Sequence, residues 1–376
     1  MSFSFTDEHA EFRSVLRRFL TEKASTAEVR RLMETDDGYD PDVWTAISQE
    51  LGLTALHIPE DYGGQGFGTV ELAIALEEMG RALLCAPYFS SVVLAATAIV
   101  NGANEDQKRM LLPPIASGET RASLAFTEEN GRWEPDAVET VAKPVGDKFE
   151  LNGVKSFVVD GHTAHQILVL ARDPGTSDSD GLSLFLVSSD AAGLQRQLLN
   201  SMDATRKIAR LEFKGVEAIL LGEKGAAAVA VEKTLDLAAA CLANEMVGGA
   251  EALREQALDY SQMRMQFGRV ISSFQTMKHK QADMLIDVEL AKSAAYYAAA
   301  AADEALDEFP GIASLAKAGA SEAYVQTAIH TIQIHGGIGF TWDNDTHLWF
   351  KRAKSSEVFL GDANFHRERM LRYWQD

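Results

Sequence analysis

One carboxylate, Glu245, stands in the middle of LAAACLANEMVGGA (Leu237–Ala250), where every other side chain is small or apolar apart from the amide of Asn244. A helix of such residues is built for burial. Burial disfavours the charged form of a carboxyl and raises its pKa toward that of a useful general base. Proton abstraction is therefore the chemistry this stretch offers. A buried Glu paired with an Arg, or capped by a hydroxyl, reads the same way in sequence. Other chemistries lack their signatures: there is no GxSxG elbow and no HExxH pair. His330 and His335 are five apart and fall on different helix faces, so no metal set is expected. Cys85 and Cys241 form no CxxC pair and read as buried thiols in a reducing cytosol. HGGIGFTW (His335–Trp342) and GGQGFG (Gly63–Gly68) lack the full GxGxxG. The first follows a helix rather than a strand, and reads as a helix stop and a tight turn.

The elements that must position these residues fall into three regions, expected as domains 1–120, 121–221 and 222–376. FTDEHAEFRSVLRRFL opens a helical region with Thr6 as cap, interrupted by IPEDYGGQGFG and resumed by VELAIALEEMGRALL. RASLAFTE, ETVAKPVG, KFELNGVKSFVVDG, HQILVLARD, GLSLFLVSSD and KIARLEFKGVEAILLG then read as short strands between turn residues. Without helices between them, they predict an antiparallel barrel or sandwich rather than βαβ units. Residues 222–264, 274–309 and 312–335 read as three long helices, apolar on more than one face, which belong in a bundle and an oligomer interface. The fold class is α+β and multidomain. A net charge of -20 argues against nucleic acid or an anionic membrane as partner. No uncharged run approaches a membrane span, and MSFSFTDEHAEF lacks a signal-peptide pattern, so a cytoplasmic protein is expected.

Several motifs carry a family resemblance. YSQMRMQFGRVISSFQTMKHKQADM (Tyr260–Met284) resembles the acyl-CoA dehydrogenase family's R-x-x-F-G, F/H-Q and A-D-M run. IQIHGGIGFTWDNDTHLWFKRAK (Ile332–Lys354) resembles its Q-x-x-G-G-x-G-Y/F segment, in the right order. LAFTE, LNGVKSFVVDG and IPEDYGGQG match the start of its T-E-P loop, its N-G-x-K strand and its N-terminal loop, so the resemblance covers essentially the whole chain. It implies a helical N-terminal domain, a central β domain and a C-terminal four-helix bundle, with FAD as cofactor, an acyl-CoA substrate, an electron-transfer flavoprotein as acceptor, and a tetramer. Carried over by position, Arg264, Phe267 and Gln275 resemble residues that reach the neighbouring subunit's FAD, and Gln333 and Gly337 resemble contacts to the adenosine side. Arg264 can pair with a pyrophosphate, and Gly337 lets backbone approach without a Cβ. Thr127 matches the threonine near flavin N5. The following ENGRWEP departs from P-x-A-G-S-D, and Phe157 and Val159 replace the frequent Trp and Thr.

The same resemblance leaves the α-proton base unassigned. The Glu of the C-terminal E-G-T/S motif is Leu360 here, and the second position, on the long helix, is Ala238. Glu245 lies seven residues, or two turns, from Ala238 on nearly the same face, among Cys241, Gly248, Gly249 and Ala252. It is the expected relocated base, with Asp362 the weaker candidate. The empty base positions and altered threonine loop resemble the branch acting on steroid side chains, where two different subunits form an α2β2 assembly, the alternative to a homotetramer. The chain then reads either as a dehydrogenase making a 2,3-enoyl-CoA, or as a catalytically silent subunit completing a partner's flavin site. A related flavin oxidase is a third reading, and the acyl chain is left open.

Overall fold

The computed structural model describes residues 5–374 apart from Asp147. The helices, in chain order, are α1 (Asp7–Lys23), α2 (Thr26–Met33), α3 (Pro41–Thr45), α4 (Thr69–Arg81), α5 (Thr97–Gly102) and α6 (Glu105–Ala116), then α7 (Ala227–Met263), α8 (Gln275–Asp303), α9 (Phe309–His335), α10 (Thr346–Val358) and α11 (Ala363–Trp374). The strands are β1 (Ala122–Ala125), β2 (Val141–Val145), β3 (Lys148–Val159), β4 (Gln166–Arg172), β5 (Leu182–Ser188), β6 (Leu194–Leu198) and β7 (Ile208–Leu221), followed by the two-residue pair β8 (Met265–Gln266) and β9 (Arg269–Val270). Thr6 caps α1 as its sequence predicts: its side chain accepts from the His9 amide while the His9 ring turns back to the Thr6 amide. The chain packs as two compact units of interleaved segments.

One unit holds residues 32–68 and 85–238 and contains the main sheet, in the order β1-β4-β2-β3-β7-β5 with β6 on β7 and a further β4–β5 pairing. The expected antiparallel pattern holds for most pairs, but β1 runs parallel to β4, with Ala122 opposite Gln166 and Ala125 opposite Val169. The sequence reading missed β6. LQRQL is mostly exposed, and such an edge strand has no buried face to impose an apolar alternation. The sheet encloses Leu151, Ile167, Val169, Phe185, Leu211 and Phe213, all buried. GGQGFG proves to be a packing device: a Cβ on Gly64 would stand 1.8 Å from the Ile58 carbonyl oxygen.

The other unit holds residues up to 31, 69–84 and 239 onward. Here α9 packs against α8, α10 and α11, and is buried along most of its length. α4, buried from Thr69 to Gly80 apart from Glu71, meets α7 at contact distance. A Cβ on Gly80 would lie 2.0 Å from the Glu245 carbonyl oxygen, and one on Gly248 would lie 1.9 Å from that of Glu77. Gly248→Ala must push two backbones apart, so we expect a loss of about 1–3 kcal/mol of stability, read as a lower urea midpoint at unchanged slope.

Candidate functional site

Glu245 is buried on α7, and its Oε1 accepts from Arg352 Nη1 of α10 at 2.9 Å, with side chains 7% and 4% exposed. The helix built for burial thus carries a charge because a second buried charge meets it. Asn244, one residue earlier, donates to the carbonyls of Ala240 and Ala295, which ties α7 to α8. Position 238 is a fully buried alanine, and position 360 a buried leucine. Asp362 Oδ1 accepts from the Phe365 amide at 2.8 Å and so caps the start of α11. Leu360 has φ +62, a left-handed conformation that costs a leucine about 1–2 kcal/mol. Sequence reasoning missed both Arg352 and the residues that surround this turn.

The same unit brings together the five residues expected to contact cofactor. The end of α7, the start of α8 and the end of α9 converge through Ala257, Met284 and Ile334 and through the Tyr260–His335 ring stack at 4.2 Å. Arg264, Phe267, Gln275, Gln333 and Gly337 all stand exposed there. No ion pair among the described residues involves Arg264. Phe267 has φ +52 in the β8–β9 turn and is 92% exposed. Gln333 Oε1 accepts from Lys280 Nζ at 2.9 Å. A Cβ on Gly337 would meet nothing within 4 Å, so the backbone there is open to an incoming group. A forked cation, amides and uncovered backbone at these helix ends are the kind of donor set an anionic dinucleotide requires. Met263, Met265, Phe340 and Trp342 stand exposed beside them.

In the sheet unit, Thr127 and Phe157 are set by one buried network. Lys155, fully buried, donates to Glu128 Oε1 at 2.8 Å and to the Phe126 carbonyl at 3.4 Å. Glu128 also accepts from the Glu139 and Thr140 amides and the Thr140 hydroxyl. Burial pushes Lys155 down to about 8. Burial also acts to raise Glu128, but the charge of Lys155 and the Thr140 bonds outweigh it and leave its pKa lowered. Thr127 Oγ1 donates to the Ser156 carbonyl at 2.6 Å, which leaves its oxygen as an acceptor. A register shift between Lys155 and Val158 frees Phe157, at φ +60 and 40% exposed, to present its ring outside the sheet. Val159 is buried and adds no hydroxyl. A hydroxyl acceptor and an exposed ring fit a flavin, with fewer hydrogen bonds than the family pattern supplies.

Among the described residues no cluster of three or more His, Cys, Asp or Glu could hold a metal ion. Among them, too, no helix is long and apolar enough to cross a membrane.

Comparison with known proteins covers nearly the whole chain. Family models for the acyl-CoA dehydrogenase N-terminal, middle and C-terminal domains match residues 6–119, 123–216 and 225–373. The acyl-CoA dehydrogenase IpdE2 of Mycobacterium tuberculosis is 31% identical over 94% of this chain and 93% of its own. A solved structure described as a Tcur3481-Tcur3483 steroid ACAD G363A variant superposes with TM-score 0.88 at 30% identity, covering 98% and 97% of the two chains. The ChsE4-ChsE5 complex from Mycobacterium tuberculosis gives TM-score 0.90 at 25% identity over 100% and 99%.

Proposed function

The chain belongs to the acyl-CoA dehydrogenase family, whose members are FAD-dependent oxidoreductases, and from that premise we propose that it works as one of two different subunits in a heteromeric enzyme. The reaction is α,β-dehydrogenation of an acyl-CoA thioester to the 2,3-enoyl-CoA, with electrons passing on to an electron-transfer flavoprotein. Bound FAD supplies the hydride acceptor. Arg264 of this chain meets the pyrophosphate of the neighbouring subunit's cofactor, Phe267 and Gln275 flank it, and Gln333 and Gly337 meet its adenosine side. Thr127 and Phe157 line the flavin face on this chain's own sheet.

Two readings exist for the α-proton base. In the first, Glu245 is the base, with Arg352 held against its Oε1. The second places the base on the partner subunit, and the observation that carries it is the disposition of carboxylates. Glu245 lies in a buried ion pair, Asp362 caps a helix, and the two usual positions are Leu360 and Ala238. Two relatives named as pairs, Tcur3481-Tcur3483 and ChsE4-ChsE5, support a two-subunit assembly, and the first, a steroid enzyme by its description, supports a bulky acyl group.

The deciding measurement is flavin absorbance per protomer together with solution mass. We expect the chain purified alone to hold little FAD, and to hold it once a homologous partner is co-expressed. One FAD per chain in a homotetramer would overturn the heteromeric reading. In the assembled enzyme, Arg264→Met removes a charge-assisted contact worth about 1.5–3 kcal/mol, a weakening of roughly 10- to 100-fold in FAD affinity. Flavin fluorescence released on dilution reads it, and unchanged release would remove Arg264 from the site.

A further inference from the structure

The turn after α10 holds a conformation its own residues do not ask for. Leu360 is left-handed at φ +62, although Gly361, at φ +103, stands next to it. What imposes this comes from α9 and α11. Lys317 of α9, fully buried, donates to the Gly361 carbonyl at 3.0 Å, the Glu357 carbonyl at 3.3 Å and Ser321 Oγ at 2.9 Å. Ser321 Oγ spends its own proton on the Lys317 carbonyl, so all three acceptors need a proton from the ammonium. From α11, His366 Nε2 donates to the Leu360 carbonyl at 3.0 Å, while its Nδ1 is buried with no hydrogen-bond partner among the described residues.

Both side chains are costly to keep inside. Burial pushes Lys317 down to about 7 and His366 down to about 3. The groups facing Lys317 are Glu357 from α10, Asp362 from the turn and His366 from α11, and Arg369 of α11 adds its charge at His366. Strain over-determined from two neighbouring helices marks a position whose geometry is used.

We propose that Lys317 and His366 are positioning residues for the acyl site: they hold residue 360 left-handed and so fix where the reacting end of the thioester meets this subunit. The inference rests on the reading that residue 360 faces the acyl group. That reading comes from the resemblance to the C-terminal E-G-T/S motif, whose Glu position is Leu360 here.

The test uses the assembled enzyme. Lys317→Met keeps the side-chain length and removes the donor, and His366→Leu does the same at α11, whereas His366→Gln restores a donor near Nε2. We expect amide exchange at Phe359 to Asp362 to accelerate about tenfold in Lys317→Met and His366→Leu, with His366→Gln close to wild type. The KM for acyl-CoA should rise about threefold or more while kcat changes less. Exchange within twofold of wild type in both donor-less variants would overturn the clamp. Faster exchange with unchanged KM would instead overturn the acyl-facing reading of residue 360, and the positioning role with it.

If Lys317→Met does not fold, the two His366 variants carry the test: faster exchange at Phe359 to Asp362 in His366→Leu that His366→Gln reverses is the expected result, and exchange within twofold of wild type in His366→Leu would overturn the clamp.

Discussion

Replacing Arg352 with methionine will cost about 3–5 kcal/mol of unfolding free energy, because it leaves the Glu245 carboxylate buried without its countercharge. The pair is held at 2.9 Å with both side chains under a tenth exposed, so water cannot take over the guanidinium's role. Glu245→Gln keeps the shape and gives up the charge, and its cost should be smaller. Combining the two should recover most of the Arg352→Met loss, since neither charge of the pair then stays buried. Denaturant unfolding at fixed protein concentration gives the four corners of that cycle. The same variant separates the two readings of the base. With the base on the partner, Glu245→Gln in the assembled enzyme keeps kcat within about threefold of wild type. If Glu245 were the base, loss of general base catalysis would lower turnover by about 100- to 10,000-fold.

Lys155→Met will also cost about 3–5 kcal/mol near neutral pH, for the same reason on the sheet unit. Its pH dependence is distinctive. In the wild type the Glu128 carboxyl is held below the ordinary range, so the stability it contributes is present at neutral pH and is lost as pH falls through that lowered value. Without Lys155 the effect of burial on Glu128 loses its main opponent, and the carboxyl takes up a proton more readily. The variant therefore gains stability relative to wild type on acidification, and the gap at pH 5 should be smaller than at pH 7.5. A gap that stays constant or widens would mean Glu128 is not the group left stranded. Flavin absorbance should shift as well, because the same pair ties the loop that carries Thr127 to the strand that carries Phe157.

These two pairs also mark where sequence legibility ends. The order of helical, strand and helical regions was readable because local periodicity and turn residues set it, and the long helices appear close to where that periodicity put them. The oddity of Glu245 was readable too, since a lone carboxylate among small side chains stands out in a string. Its partner was not, because Arg352 lies 107 positions away in a segment that reads as an ordinary charged helix. Lys317, within SLAKAGASE, gave no signal at all: a lysine on a helix reads as solvated, and only tertiary packing buries it. The parallel pairing of β1 with β4 was lost for a related reason, since pairing between distant segments leaves no local mark.

With Phe267 almost wholly in water at the tip of its turn, the proposed assembly would make heat resistance a matter of concentration: a partner subunit that covers that ring binds the folded form and not the unfolded one, so the melting temperature should climb as total protein, or the complementary chain, is added. A melting curve taken at one dilution would therefore describe a point on a binding isotherm rather than a property of the fold.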